Sequence, residues 1–425
     1  MTDTIFALSS GAPPAAIAVI RVSGPQAGAA MAALIGRTAK PRHATSAVLR
    51  DTLGGDIDRV LVLWLPGPHS ATGEDTLELH CHGGRAVIRA VETALAALPG
   101  LRAAAPGEFT RRAFVAGKID LAEAEGLADL LTAETELQRQ SAMAMASGAF
   151  SHQVTQWRDR LLQQSAALEA VLDFGDEDDV ALLPADFVTH LVQLEAELGQ
   201  WLTRPRAEML REGYRVVVAG PPNAGKSTLF NTLVEAEAAI ATPIPGTTRD
   251  VLTRPIAYAG VPFLFADTAG LHDAVDDEVE AIGIERALEA LDRADLVLWL
   301  GPEGAGPDGA WEIAAQIDRS EAPAKSAARH SISAKTGAGI AALRDDLIAT
   351  ARAAMPKPGD AGLNERQHTH LSHAHRALAA ARHEHDGLLI AEALRLARVA
   401  FDALLGRTTT EDMLDSLFAR FCIGK

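Results

Sequence analysis

The chain has 425 residues, enough for about three domains with their own cores. Its 39 basic and 56 acidic side chains leave a net charge of −17, which opposes general adhesion to nucleic acid, so any RNA contact needs a local basic patch or a basic partner. Two distant cysteines, Cys81 and Cys422, argue against a disulfide framework; no run approaches the roughly 18 apolar residues of a membrane span and Asp3 precedes the first apolar stretch, so the sequence reads as soluble and cytoplasmic.

In chain order, residues 1–118 hold short apolar runs closed by Gly, Pro or Ser (TIFALSS, AIAVIRVSG, RVLVLWLPG, DTLELHCHGG), the pattern of an α+β domain. Residues 119–212 turn helical, with Leu161, Ala167, Leu168, Val171 and Leu172 at helical spacing. Residues 213–353 predict an α/β module, PKPGD (356–360) a linker, and residues 354–425 further helix. The α/β module therefore reads as an insertion into one helical domain, placed to pass motion to helices at both of its ends.

The module carries the chemistry. RVVVAG (215–220) predicts a buried parallel strand and STLFNTLV (227–234) a helix; between them GPPNAGKS (220–227) is a phosphate-binding loop. Gly220 and Gly225 let the backbone approach phosphates, Lys226 brings a point charge, and Ser227 offers a hydroxyl to Mg²⁺. GTTRD (246–250) supplies Thr248 as a mobile metal-binding residue, and DTAG (267–270) supplies Asp267 for the Mg²⁺ shell and the Gly270 N–H for the γ-phosphate. With SAK (333–335) downstream, the order is that of a P-loop GTPase, whose nucleotide contacts fall on Asn223, Ala224, Gly225, Lys226, Ser227, Thr228, Thr242, Pro243, Ile244, Pro245, Gly246, Thr247, Thr248, Asp267, Thr268, Ala269, Gly270, Ser333, Ala334 and Lys335. Leu271 stands where many GTPases have a water-orienting glutamine, so another group must position the water. GTPases usually read guanine with NKxD; the match expected here is AKSA (324–327), in which Lys325 is kept and Ala324 and Ala327 replace the groups that read the base, so guanine specificity is expected to be weakened. His80 and His82 lie on one face of a strand and Cys81 on the other, which argues against a metal site. The histidines from His368 to His385 read as a solvated helix face.

Beyond the GTPase motifs, DTIFALSSGAPPAAIAVIRVSGP (3–25), GEDTLELHCHGG (73–84), APGEFTRRAFVAGKIDLAEAEGLADLL (105–131) and FCIGK (421–425) resemble the MnmE (TrmE) family of tRNA modification GTPases over nearly the whole chain. The resemblance implies an N-terminal tetrahydrofolate-binding α+β domain, a helical domain and an inserted Ras-like P-loop GTPase domain. It implies a homodimer that works with an FAD-containing MnmG partner, as a heterotetramer, to add an aminomethyl or carboxymethylaminomethyl group to C5 of the wobble uridine of certain tRNAs. The carbon would come from 5-formyl- or 5,10-methylene-tetrahydrofolate, held by Arg21, Glu78, Lys118 and Lys425. The family's K⁺ ligands fall on Asn223, Thr242, Ile244 and Thr247, and its water-orienting carboxylate on Glu280, which with Lys226 makes up the catalytic set. Cys422, close to Lys425, reads either as a reactive thiol for the modification chemistry or as a buried small residue. The rival readings are a regulatory GTPase of RNA or ribosome assembly and a folate-binding scaffold with a weakened GTPase.

Overall fold

The computed structural model describes residues 3–174, 183–235, 253–267, 289–320, 325–408, 410–419 and 421–425. The chain divides into two compact units, one of Met1–Ala128, Ser151–Arg160 and Arg398–Lys425, the other of Asp129–Phe150 and Leu161–Ala397. Among the described residues no helix is long and apolar enough to cross a membrane.

The first unit is built on a six-stranded sheet in the order Thr45–Arg50, Asp56–Leu65, Thr76–Gly83, Ala15–Ser23, Thr4–Leu8, Leu101–Ala103. Only the last pair is parallel. Period-two alternation sends Ile20, Val22, Val60, Val62, Leu77, Leu79 and Cys81 into one core beneath the helices Ala27–Ile35 and Arg85–Ala96. Arg21, Glu78, His80 and His82 alternate onto the opposite face, so Cys81 is indeed separated from the two histidines. Helix Glu108–Val115 packs against helix Glu411–Phe418, and the tail after the latter reaches strand Thr4–Leu8. Gly107 and Gly424 permit the approach: both have positive φ, and a Cβ would lie 2.3 Å from the Phe418 carbonyl oxygen and 1.9 Å from that of Leu8.

The second unit contains a helix pair and a second six-stranded sheet. Helices Phe187–Leu202 and Glu365–His383 bury Leu191, Leu194 and Leu198 against Leu371, Ala374 and Leu378, at three- and four-residue spacing. Asn364 and Gln367 form a capping box at the start of the latter. The sheet runs His330–Ser331, Trp311–Ala314, Leu296–Trp299, Tyr214–Ala219, Val261–Asp267, Thr253–Tyr258. All neighbours are parallel except the final hairpin. Helices Lys226–Glu235 and Ile340–Ala354 add Leu229, Leu233, Leu343 and Leu347 to its core.

This doubly mixed α+β and α/β architecture is the fold class the sequence implies, with one departure. Parallel neighbours are ordinarily joined through a helix, yet residues 300–310, between Leu296–Trp299 and Trp311–Ala314, form a loop. It is folded over the Trp299 ring: the indole N–H donates to the Pro302 carbonyl at 2.9 Å, and a Cβ on Gly301 or Gly306 would stand 2.4 or 2.7 Å from the indole.

Candidate functional site

The parallel strand Tyr214–Ala219 ends at Gly220, whose φ of +149° and approach to Gly301 and Leu300 leave no space for a Cβ. The loop then turns through Asn223 at φ +64° and Gly225 at φ +94° into helix Lys226–Glu235. Ser227 and Thr228 are exposed in the first helical turn, where the free N–H groups and the helix dipole favour an anion. Lys226 is buried and its Nζ donates to the Pro221 carbonyl at 2.9 Å, so the ammonium is stationed over its own loop. Burial lowers its pKa, opposed by the charge of Asp267. Asp267 closes strand Val261–Asp267 in register with Val218, beside the loop. A lysine, a hydroxyl and a carboxylate thus stand near one phosphate-binding turn.

A second loop, which is acidic, stands nearer the SAK segment than AKSA does. The parallel strand Trp311–Ala314 lies beside Leu296–Trp299, and the residues leaving its C-terminal end are Ala315, Gln316, Ile317 and Asp318. Asp318 Oδ1 accepts a hydrogen bond from the Ser333 hydroxyl at 2.7 Å, and that hydroxyl also accepts from the Thr336 N–H. Asp318 thus adjoins the SAK segment, with Lys335 and Arg319 close enough to act on its charge; the Ser333 hydrogen bond, then these cations, hold its carboxyl below the usual range. By contrast Lys325 is buried in an ion pair, its Nζ on Glu312 at 2.6 Å and on the Trp299 carbonyl at 2.9 Å. The backbone N–H groups of Ser326 and Ala327 donate to Glu303. The 325–327 stretch is thus taken up by contacts with Glu312, Trp299 and Glu303, which argues against its alignment with NKxD, while A-Q-I-D (315–318) places an acidic group beside Ser333. The sequence signal for it was the short run Trp311–Ala314 ending in Asp318 ahead of SAK.

Ser333 is fully buried, Ala334 is half-buried with its carbonyl reached by the Thr232 hydroxyl, and Lys335 is exposed. A cavity of about 480 Å³ lies alongside, lined by Pro221, Asn223, Glu303, Gln316 and Lys325 among others. Thr242, Pro243, Ile244, Pro245, Gly246, Thr247, Thr248, Thr268, Ala269, Gly270, Leu271, Glu280 and Ala324 lie outside the described residues.

In the first unit, Arg21 and Glu78 are paired across neighbouring strands, with Nε and Nη2 on Oε1 at 3.0 and 2.9 Å. The guanidinium lies 5.8 Å from the Phe109 ring centroid, and the Phe109 N–H donates to the Lys425 carbonyl. Arg21, Glu78 and the backbone of Lys425 are therefore gathered around Phe109. Lys118 packs instead on Gly73, and no hydrogen bond or ion pair among the described residues joins it to the other three. Cys422 is exposed; burial, with the Asp58 charge, pushes the Cys81 thiol up to about 12, which makes it inert. A cluster that the motifs did not single out surrounds the buried Arg112, whose guanidinium meets Asp3, Glu74 and Glu108 at 2.9–3.1 Å.

A strand–loop–helix phosphate cradle beside an Asp–Ser pair on a mostly parallel sheet defines a P-loop nucleotide-binding protein. Family models described as the GTP-binding protein TrmE N-terminus and the MnmE helical domain match residues 4–118 and 121–422. The tRNA modification GTPase MnmE of Novosphingobium aromaticivorans is 63% identical, with 100% of both chains covered; that of Erythrobacter litoralis is 62% identical, also with 100% of each covered. The chain belongs to the MnmE (TrmE) family. Of solved structures, the G domain of the T. maritima FeoB iron transporter aligns with 32% of this chain and 98% of its own at 19% identity, and its TM-score of 0.19 carries no argument.

Proposed function

We propose that this chain is a tRNA modification GTPase: it binds and hydrolyses GTP and uses that cycle to drive modification of the wobble uridine of certain tRNAs. The observation that carries the nucleotide half is the Asp318–Ser333 pair standing at the strand ends next to the Lys226 cradle. An anionic carboxylate there accepts from both N–H donors on the guanine edge, and adenine offers no matching pair. The reading of a weakened GTPase rested on Ala324 and Ala327, and a base-reading Asp318 would take that ground away.

For the cation, Ser227 and Asp267 are oxygen donors next to the phosphate loop and suit Mg²⁺, with Thr248 as a third; Mg²⁺ supplies charge neutralisation on the outer phosphates. The exposed Asn223, with Thr242, Ile244 and Thr247, would hold K⁺, and Glu280 would orient the water that Leu271 cannot. Folate fits the first unit chemically: the paired Arg21 and Glu78 offer a cation to its carboxylates and an acceptor to its pterin edge, and Lys118 and Lys425 add charge. Tetrahydrofolate in its 5-formyl or 5,10-methylene form supplies the one-carbon unit, and Cys422 is exposed for the modification chemistry. A homodimer, an FAD-containing MnmG partner and a cytoplasmic setting complete the reading.

The test is modification itself. In cells whose only copy carries Lys226→Ala, mass spectrometry of tRNA should show the wobble-uridine modification falling by tenfold or more, on the order expected when a phosphate-stabilising charge is lost. Full modification with a GTPase-dead chain would refute the coupling.

A further inference from the structure

We infer that, with Asp318 as the base-reading carboxylate, Gln316 is the positioning residue that ties the base-reading loop to the phosphate loop and so sets how long a guanine nucleotide stays bound. Gln316 has φ +61°, a left-handed conformation uncommon for a residue with a side chain. Its amide is engaged at both ends. Nε2 donates to the Asn223 carbonyl at 3.0 Å, and Oε1 accepts from Arg319 Nη1 at 2.9 Å. Gly225 makes room for it, because a Cβ there would stand 3.1 Å from Nε2. Among the described residues this is the one hydrogen bond between 315–318 and the 220–225 loop.

A nucleotide bridges the same two loops, phosphates on one and base on the other. A protein in which their spacing is already fixed loses less freedom on binding, so the complex lasts longer. The donor to Asn223 carries the tie, and the acceptor adds a lesser anchor. A lysine at this position would supply a donor to Asn223 but no acceptor for Arg319; glutamine does both, and so anchors the residue that follows Asp318 as well. Ala315, just before it, has no polar side chain to share the task. The tie uses the backbone carbonyl of Asn223 and not its side chain, so its loss should act alike on GDP and GTP and fall on affinity rather than on the chemical step.

The experiment uses the full chain and fluorescent GDP and GTP analogues, with dissociation followed by stopped flow. Gln316→Glu keeps the shape, removes the donor and sets a carboxylate against the Asn223 carbonyl; Gln316→Lys keeps a donor. Release of both nucleotides should speed up about three- to tenfold in Gln316→Glu, as expected for one net hydrogen bond, with the change in KM and not in kcat. Gln316→Lys should stay within about twofold of wild type. Wild-type release rates in Gln316→Glu, or equal acceleration in the two variants, would overturn the tie. Asp318→Asn separates this from the base assignment: unchanged GTP affinity there contradicts Asp318, whereas weakened GTP binding together with a silent Gln316→Glu contradicts Gln316 alone.

Discussion

In the proposed base-reading site, one hydroxyl, that of Ser333, sets the state of Asp318. The hydroxyl donates to the carboxylate at 2.7 Å and lowers its pKa, so the acceptor is anionic throughout the neutral range and its orientation is fixed. Ser333→Ala should therefore weaken GTP binding about three- to thirtyfold, the range for a hydrogen bond to a charged group, while ATP binding stays unchanged; titration calorimetry reads both. Lys226 and its loop were legible in the sequence because their chemistry is local, eight consecutive residues between a strand and a helix. Asp318 was not. Its strand has only four residues with Glu312 among them, and Ala315 and Gln316 replace the usual partners of the acid. Lys325 offered a decoy whose true role, a buried pair with Glu312, depends on a contact that no local pattern encodes.

Loop 300–310 shows the same limit at the level of elements. Apolar runs closed by breakers mark the strands, and their period marks the buried faces, but the strand pairing leaves open how a short crossover is covered. Here the Trp299 indole fills the space beneath glycines. Gly301→Ala should lower stability by about 1–3 kcal/mol through overpacking, in a denaturant titration. Gly11→Ala, where a Cβ meets nothing within 4 Å, should change it little. Combining Gly301→Ala with Trp299→Ala should recover part of the loss, because the clash is with the ring; additive losses would place the strain elsewhere.

Across the whole molecule, each unit is assembled from distant stretches of chain, and long-range polar contacts do much of the joining. In the first unit Arg112 unites Asp3, Glu74 and Glu108, and Arg102 adds two bonds to Glu108. Arg112→Ala leaves these carboxylates facing one another and should cost about 3–5 kcal/mol, the range for breaking a buried ion pair. Burial raises the Glu108 pKa, but hydrogen bonds from Arg102, the Ala105 N–H and Arg112 outweigh it and bring the carboxyl below its ordinary 4.5. A depressed folded pKa means that protonation favours the unfolded chain, so this stabilisation is present above about pH 4.5 and is lost as pH falls through the folded value. Thermal melts between pH 3 and 7 should show that acid loss in the wild type, and a smaller one in Arg112→Ala. The closure of residues 421–425 on the N-terminal strand was beyond the helical period of that region, since it depends on Gly107 and Gly424 admitting carbonyls from distant residues. The proposal that this molecule reads guanine through Asp318 is tested most directly by competition binding of GTP, XTP and ATP to wild type and Asp318→Asn. The wild type should prefer GTP over ATP, and the variant should lose about a hundredfold or more in GTP affinity and gain XTP, whose edge presents an acceptor to the new amide donor. Equal binding of GTP and ATP by the wild type, or an unaltered preference in Asp318→Asn, would contradict the account.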